Sequence, residues 1–273
     1  MAEENQQLKE EWVSGEVSLK VGELPIQFQM TVPAFPVTAR RMLPIFHKMA
    51  NAMVETSIDA IKQVGEEISC KAGCGACCRQ PVPIAEIEVY QIAELVESMP
   101  EPRRSIIKKR FADAAAHFHN IQWYERFVQL LQSAPEMEPD EAVRRGNELT
   151  LQYFHEGIPC PFLENESCSI HPDRPVVCRE YLVTNPPENC RDPNPTNIAL
   201  VNLLIKPSRA MRRLGSQGFL DKYGMPVLTR ALEIAAEVPE RGEEKSGPEW
   251  MREFFENLTA RPKPSAEKSA PEA

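Results

Sequence analysis

The chain has 273 residues, of which 42% are hydrophobic and 26% charged, enough for a buried core in one large or two modest domains. Its net charge of −9 argues against nonspecific binding to nucleic acids or anionic membranes. No stretch reaches the roughly 18 apolar residues that a membrane span needs, and the acidic, polar start predicts no secretory signal. We therefore expect a cytoplasmic protein with no nucleic-acid or membrane partner.

The first predicted element is a β-hairpin. Apolar and polar residues alternate from Val17 to Val32, with an interruption at residues 22–25. Pro33 follows the second run and ends the pattern. We assign residues 1–36 to an N-terminal hairpin extension.

Helical periodicity dominates the rest of the chain outside one Pro-rich segment. A first helix is predicted from about Thr38 to Val64, with a methionine-rich stripe that we assign to the core and Gly65 as its C-terminal signal. The apolar run 198–205 fits either a buried strand or a helix. Further helices are predicted over residues 85–99, 103–132, 140–154, 208–214, 227–236 and 249–258.

The predicted fold class is mainly α: a helical domain around an irregular, cysteine-rich metal-binding loop, with the small β-hairpin at its N-terminus. We expect residues 37–196 to form the cysteine-cluster domain and residues 197–260 to form a C-terminal helical region packed on it. Residues 261–273 lack large apolar side chains and are expected to be a disordered tail.

All eight cysteines fall in two groups. The first group occupies the nine residues from 70 to 78, and the second lies in segment 159–195, which contains eight prolines. Such a segment cannot form one helix, and metal ligation would explain how so long a loop stays ordered. We therefore predict that the two groups fold together around metal. The predicted ligands are Cys70, Cys74, Cys77, Cys78, Cys160, Cys168, Cys178 and Cys190.

The identity of the metal is open between two alternatives, because thiolates bind both zinc and iron–sulfur clusters. The first group is too dense for one tetrahedral zinc, and the second has no Cys-x2-Cys pair. These features favour an iron–sulfur cluster, with 4Fe–4S as its expected form, over zinc. Eight thiols suit two four-cysteine sites or one cluster with spare thiols. The competing interpretation, four disulfides in an exported protein, lacks a recognisable export signal.

Several neighbours of the cysteines are candidates for supporting roles. Positive charge favours thiolate over thiol, although solvated surface residues would look the same in the sequence. The flanking cations are Lys71, Arg79 and Arg179. Four further side chains are candidate acids, bases or positioning groups of an enzyme, with a structural role as the more common alternative for each: His155, Asp173, Glu180 and Tyr181.

The cysteine motifs, taken in order, resemble those of a known family. The pattern Cys-x3-Cys-x2-Cys-Cys is followed by Cys160-Pro161-Phe162-Leu163, Cys168-Ser169-Ile170, Arg174-Pro175 and Cys178-Arg179. The chain from about Ser69 to Arg179, extending toward Cys190, thus resembles the YkgJ-type cysteine-cluster family, the zinc- or iron-chelating domains with the CxxCxxCC signature. His171 departs from the aromatic residue expected at its position.

The resemblance implies metal binding by these cysteines, and a loose link to flagellin lysine N-methylases, which are similar in this domain. The first hypothesis is a metal-binding protein with a structural or redox centre. The alternatives are a metal-dependent enzyme related to protein lysine N-methylases, with a protein substrate, and a protein for metal storage, delivery or sensing. No glycine-rich nucleotide loop follows a clear strand, so no methyl-donor site can be placed. The sequence indicates no oligomeric state.

Overall fold

The computed structural model describes residues 11–21, 24–71, 73–194, 196–215, 223–240 and 242–260. The predicted N-terminal hairpin is confirmed, because β1 (Trp12–Val21) pairs antiparallel with β2 (Leu24–Pro33). Residues 24 and 25, predicted to lie in the turn, already belong to β2. Phe28 and Val32 of β2 are buried in the core, whereas residues 11–18 are largely exposed. The hairpin therefore attaches to the protein through β2. The predicted tail 261–273 lies outside the described residues.

The mainly α fold class is confirmed. Pro44 lies in the first turn of the first helix, where its missing N–H costs no hydrogen bond. Gly65 follows the end of that helix with a φ of +83°, which favours glycine. The helices in the described part of the chain are α1 (Leu43–Gln63), α2 (Glu86–Glu97), α3 (Arg103–Asn120), α4 (Trp123–Ser133), α5 (Pro139–His155), α6 (Val176–Glu180), α7 (Pro207–Met211), α8 (Ala231–Glu237) and α9 (Gly247–Thr259).

The largest core cluster among the described residues joins the N-terminal hairpin and the last described helix to α1. Two short strands, β3 (Pro36–Thr38) and β6 (Glu244–Ser246), pair antiparallel and bring α9 beside the hairpin. The rings of Phe46 and Phe254 stack with centroids 5.0 Å apart. The methionine stripe is buried as predicted, and its core members are Met42, Met49 and Met53. The domain boundaries at residues 36 and 196 stay predictions.

The single helix predicted over residues 103–132 is wrong, because the chain breaks between α3 and α4. Gln122 adopts a left-handed conformation, with a φ of 55°. Apolar residues on both sides of the break bury against one aromatic cluster, in which Phe118 stacks on Tyr153 at 3.8 Å and lies edge-on to Trp123. Since the apolar period continues across the break, periodicity could not reveal it.

The apolar run 198–205 forms neither the strand nor the helix that were predicted. It runs extended beside residues 182–184: Val201 N donates to Leu182 O at 2.8 Å, and Thr184 N donates to Ala199 O at 3.1 Å. Val201 and Leu203 are buried, while the residues between and beside them are exposed. Residues 198–205 therefore form backbone hydrogen bonds with the stretch that follows α6.

Candidate metal centre

The first cysteine group lies on the connection between α1 and α2. Cys74 N donates to Lys71 O at 3.1 Å, and a 3-10 turn follows over Ala76–Arg79. Gly73 has a φ of +81°, a conformation that most other residues avoid. These turns form a tight loop that keeps the four cysteines of residues 70–78 close to one another.

The second group is carried by short elements of an irregular segment, as predicted for residues 159–195. Cys160 precedes a two-stranded hairpin, in which β4 (Leu163–Glu164) pairs with β5 (Ser167–Cys168). Cys178 lies in α6, and Cys190 lies in a 3-10 turn over Asn189–Arg191. Each cysteine of this group thus lies in or next to a short turn, strand or helix.

The two cysteine segments contact each other directly. Cys160 N donates to Cys78 O at 2.6 Å, and Ser69 N donates to Val183 O at 2.9 Å. A Cβ added to Gly75 would lie only 2.7 Å from Leu163 Cδ1, so the first loop packs tightly against the β4–β5 hairpin. The two segments thus fold together, as predicted from the sequence, and metal binding between them stays a prediction.

The thiols form two neighbourhoods that meet at Cys77. Cys70 and Cys74 pack with buried Cys190 around Ala76, while Cys160 and Cys168 pack against a separate apolar cluster. Cys77 lies near enough to interact electrostatically with thiols of both neighbourhoods: Cys70 and Cys190 in one, and Cys160, Cys168 and Cys178 in the other. All eight cysteines are free thiols.

Burial raises the pKa of most of these thiols. It raises the pKa of Cys160 to about 12 and that of Cys178 well above the ordinary value. Contact with the thiol of Cys78, and then burial, raises the pKa of Cys77. Cys77, Cys160 and Cys178 are therefore protonated at neutral pH unless a cation favours the thiolate, as a bound metal ion does.

The flanking cations predicted from the sequence differ in their surroundings. Lys71 is exposed. Arg79 forms an ion pair with Glu166, at 2.7 Å. Arg179 is buried and donates to the backbone oxygens of Arg174 and Pro172 and to Asn51 Oδ1. Among the described residues no carboxylate forms an ion pair with Arg179, so its positive charge beside Cys178 is only partly compensated.

Two supporting residues were missed by sequence reasoning. Glu88 is fully buried in α2, and its carboxylate accepts Val176 N at 2.7 Å, which holds the start of the cysteine-bearing helix α6. Asn185 Nδ2 donates to Cys190 Sγ at 3.6 Å, and Asn185 Oδ1 accepts Ala199 N at 2.7 Å. A buried carboxylate and a buried amide have no sequence signal of their own, because both types are common on surfaces.

Of the four candidate acids and bases, only Tyr181 lies with the cysteines. Its side chain packs in the cluster that contains Cys70 and Cys74, and its hydroxyl accepts Gln80 Nε2 at 2.9 Å. Glu180 instead accepts the N–H and hydroxyl of Ser208 at the start of α7. The other two candidates, His155 and Asp173, are exposed.

Thiols are the donor groups that soft metals prefer, although the described thiols are not arranged around one point as the ligands of a metal ion would be. Within the described ranges, no three His, Cys, Asp or Glu side chains are arranged to hold a metal ion. The thiols are neighbours that do not converge on one point. Eight unpaired sulfurs in one region nevertheless match the preference of zinc and of iron–sulfur clusters for thiolates. The residues present therefore fit such a group in chemistry and in proximity.

These features define a cysteine-rich, metal-chelating class of domain. Residues 69–195, a little under half of the chain, match the family model CxxCxxCC, described as "Putative zinc- or iron-chelating domain". The matched family is the one that the cysteine motifs resemble, which confirms the resemblance seen in the sequence. Comparison with curated proteins gave no match, and comparison with solved structures gave none either. In the part of the chain that the structure describes, no helix has the length and apolar character needed to cross a bilayer.

Proposed function

We propose that the protein binds an iron–sulfur cluster, with 4Fe–4S as its expected form, through its eight cysteines, and that this centre has a structural or redox role. The observation that supports it is the direct contact between two segments that bear eight free thiols. The family and the cysteines together support metal binding. Because unpaired thiols persist in reducing compartments, the cytoplasm is the proposed location.

The density of the first cysteine group favours a cluster over a single zinc ion, because its four thiols within nine residues are too crowded for one tetrahedral zinc. Cys77 interacts electrostatically with thiols of both neighbourhoods, so neither neighbourhood is an isolated set of four. A 4Fe–4S cluster, like a tetrahedral zinc, takes four cysteines, so the number of thiols alone does not choose between them. Two zinc ions, one in each neighbourhood, are the second candidate.

The burial of the thiols favours a fixed centre over exchangeable metal storage. None of the eight cysteines is exposed. Ligands that give up metal to a partner need access to solvent or to that partner. One contact supports an enzymatic role, the packing of Tyr181 in the cluster that contains Cys70 and Cys74. The metal-binding role proposed above requires no substrate.

Metal analysis of anaerobically purified protein tests the proposal. We expect iron and acid-labile sulfide in equal amounts and an electron paramagnetic resonance signal after reduction; zinc without sulfide would select the second candidate. Cys74→Ser and Cys168→Ser, one in each neighbourhood, then separate one centre from two. Each substitution should remove nearly all metal from a single centre, but about half from two centres. His155→Gln, at an exposed position, is the control. A folded, metal-free protein would end the proposal.

A further inference from the structure

An open cavity of about 460 Å³ lies between α4 and α5, and none of its lining residues belongs to either cysteine segment. Its volume is within the range of small-molecule sites, which is about 300–1,000 Å³. Its apolar lining comes from α4, from α5 and from the connection between them, in that order Leu130, Leu149 and Met137. All three are only partly buried, so their apolar surface is accessible to a ligand.

The guanidinium of Arg126, which lines this cavity from α4, is held in place by three oxygen atoms. Its Nε donates to Gln122 O at 3.2 Å, its Nη2 to Ile121 O at 3.1 Å, and its Nη1 to Gln152 Oε1 at 2.8 Å. Ile121 and the left-handed Gln122 form the break between α3 and α4. The carbonyl oxygens of this break therefore fix the direction of the Arg126 side chain.

Arg126 can still bind an anion. A guanidinium has five N–H groups, of which these contacts use three, and no carboxylate in the described part of the chain forms an ion pair with it. The other charged residues that line the cavity are paired. Arg145 contacts Glu141 at 2.5 Å, and Glu148 contacts Arg144 at 2.6 Å. The cavity thus combines apolar surface with one uncompensated positive charge.

We propose that this cavity binds a small amphipathic monocarboxylate. Its apolar chain lies against Leu130, Leu149 and Met137, and its carboxylate accepts the two remaining N–H groups of Arg126. Guanidinium and carboxylate are planar groups that match in two parallel hydrogen bonds. A single negative charge also suits the one uncompensated cation, whereas a phosphate dianion would need a second. The inference does not rest on the metal centre.

Octanoate is the probe for this site, and the methyl group of Met137 reports on it. The protein as purified, labelled with ¹³C in its methionine methyl groups, is titrated with octanoate, and Met137→Leu assigns the resonance. We expect a saturable shift of the Met137 resonance, without a shift of the core methionines Met42, Met49 and Met53. Octanol lacks the charge and acetate lacks the chain, so each should bind at least about 10-fold more weakly.

Three variants test the role of Arg126. Arg126→Gln should weaken octanoate binding about 10-fold or more, because it removes two hydrogen bonds to a charged ligand. Arg126→Lys keeps the charge but loses the planar pair of N–H groups, so its loss of affinity should be smaller. Arg252→Gln is the matched control and should leave the affinity unchanged. Arg252 is an exposed arginine of α9 outside the cavity, and no described carboxylate forms an ion pair with it.

The outcomes separate this inference from the proposed function. A Met137 resonance that octanoate does not shift would refute the site. Octanol binding as tight as octanoate binding, or equal octanoate affinity in wild type and Arg126→Gln, would refute a carboxylate site. An equal loss of affinity in Arg252→Gln would refute it as well. If circular dichroism shows that Arg126→Gln is unfolded, the affinity of folded Arg126→Lys decides. Metal-free protein that binds octanoate would refute the proposed function and support this site.

Discussion

Arg79 Nη2 donates to Glu166 Oε1 at 2.7 Å and thereby joins the first cysteine segment to the tip of the β4–β5 hairpin. Nη1 of the same guanidinium donates to Glu166 Oε2 at 3.2 Å and to Gly75 O at 3.1 Å. Glu166 has a φ of 55°, in the left-handed region that residues with a Cβ rarely adopt. This forked contact holds the hairpin against the loop that bears Cys74 and Cys77.

Loss of the Arg79–Glu166 pair should speed metal release. Glu166→Gln removes the charge that fixes the guanidinium, so the hairpin and the loop can separate more readily. Because the pair is partly exposed, we expect the rate of extraction by a chelator to rise by less than about 10-fold. The measurement is the time course of metal loss from the loaded protein.

Two further variants control that experiment. Asp113→Asn removes the exposed ion pair that Asp113 forms with Lys109 at 2.8 Å on α3, and it should leave the extraction rate unchanged. Exchange of the two charges, Arg79→Glu with Glu166→Arg, should restore a slower rate. Equal rates for wild type and Glu166→Gln would show that the contact does not limit metal release.

Gly75→Ala should destabilise the protein by about 1–3 kcal/mol, the usual cost of overpacking. The backbone at Gly75 is unstrained, with a φ of −94°. The added methyl group would nevertheless lie 2.7 Å from Leu163 Cδ1 and 3.1 Å from Glu166 Cα, so the hairpin must shift. Urea unfolding of the protein as purified, with its metal bound, measures the change.

Gly146→Ala provides a control with the opposite sign. Gly146 lies inside α5, and an added Cβ there would meet nothing within 4 Å. Alanine in a helix interior is favoured over glycine by about 1 kcal/mol, so this variant should be more stable than wild type. If Gly75→Ala were as stable as wild type, the close packing of loop and hairpin would be disproved.

Because of His47, the folded protein should become less stable as the pH falls below 6.5. Burial, and then the charge of Arg179, lower the pKa of His47 to about 3 from 6.5. The unfolded chain therefore binds one more proton than the folded protein between these values. The stability present above pH 6.5 is lost as pH falls, by about 1.4 kcal/mol per pH unit for one proton.

Replacement of His47 tests this assignment. His47→Met removes the proton uptake, so the free energy of unfolding should depend less steeply on pH between 6.5 and 4. Urea unfolding at several pH values gives both slopes. His155→Gln, at an exposed position, should keep the wild-type slope. Identical slopes for wild type and His47→Met would assign the acid sensitivity to other groups.

Asn185→Asp should weaken metal binding at Cys190 while it leaves the local fold in place. The aspartate keeps the oxygen that accepts Ala199 N, but it loses the Nδ2 donor to Cys190 Sγ and adds a negative charge beside it. We expect metal affinity to fall about 10-fold, as for other residues that support metal ligands. Competition with a chromophoric chelator measures the affinity. Asn189→Asp, in the 3-10 turn that bears Cys190 but bonded to Asn197 O through Nδ2, is a nearby comparison. An unchanged affinity in Asn185→Asp would mean that the contact with sulfur contributes nothing.

The sequence predicted most helices and the N-terminal hairpin to within a few residues. Local patterns sufficed there: apolar spacing defines α2 and α5, and Gly65 marks the end of α1. The prediction was wrong where the same local apolar pattern is compatible with more than one backbone structure. The apolar period continues through the left-handed residue Gln122, and the run at 198–205 becomes an extended stretch whose partner lies at residues 182–184.

By itself, the sequence determined a mainly helical fold, through its apolar spacing, and a cysteine-cluster domain, through its eight cysteines and the motifs around them. That information is local, because residue type and spacing limit both secondary structure and ligand chemistry. Only the tertiary structure decided that Cys77 stands between two neighbourhoods of thiols, that Glu88 holds α6, and that Arg126 lines a cavity between α4 and α5. These features depend on burial and on contacts between distant residues, such as Glu88 and Val176, which are 88 positions apart. Packing of the whole chain sets such contacts.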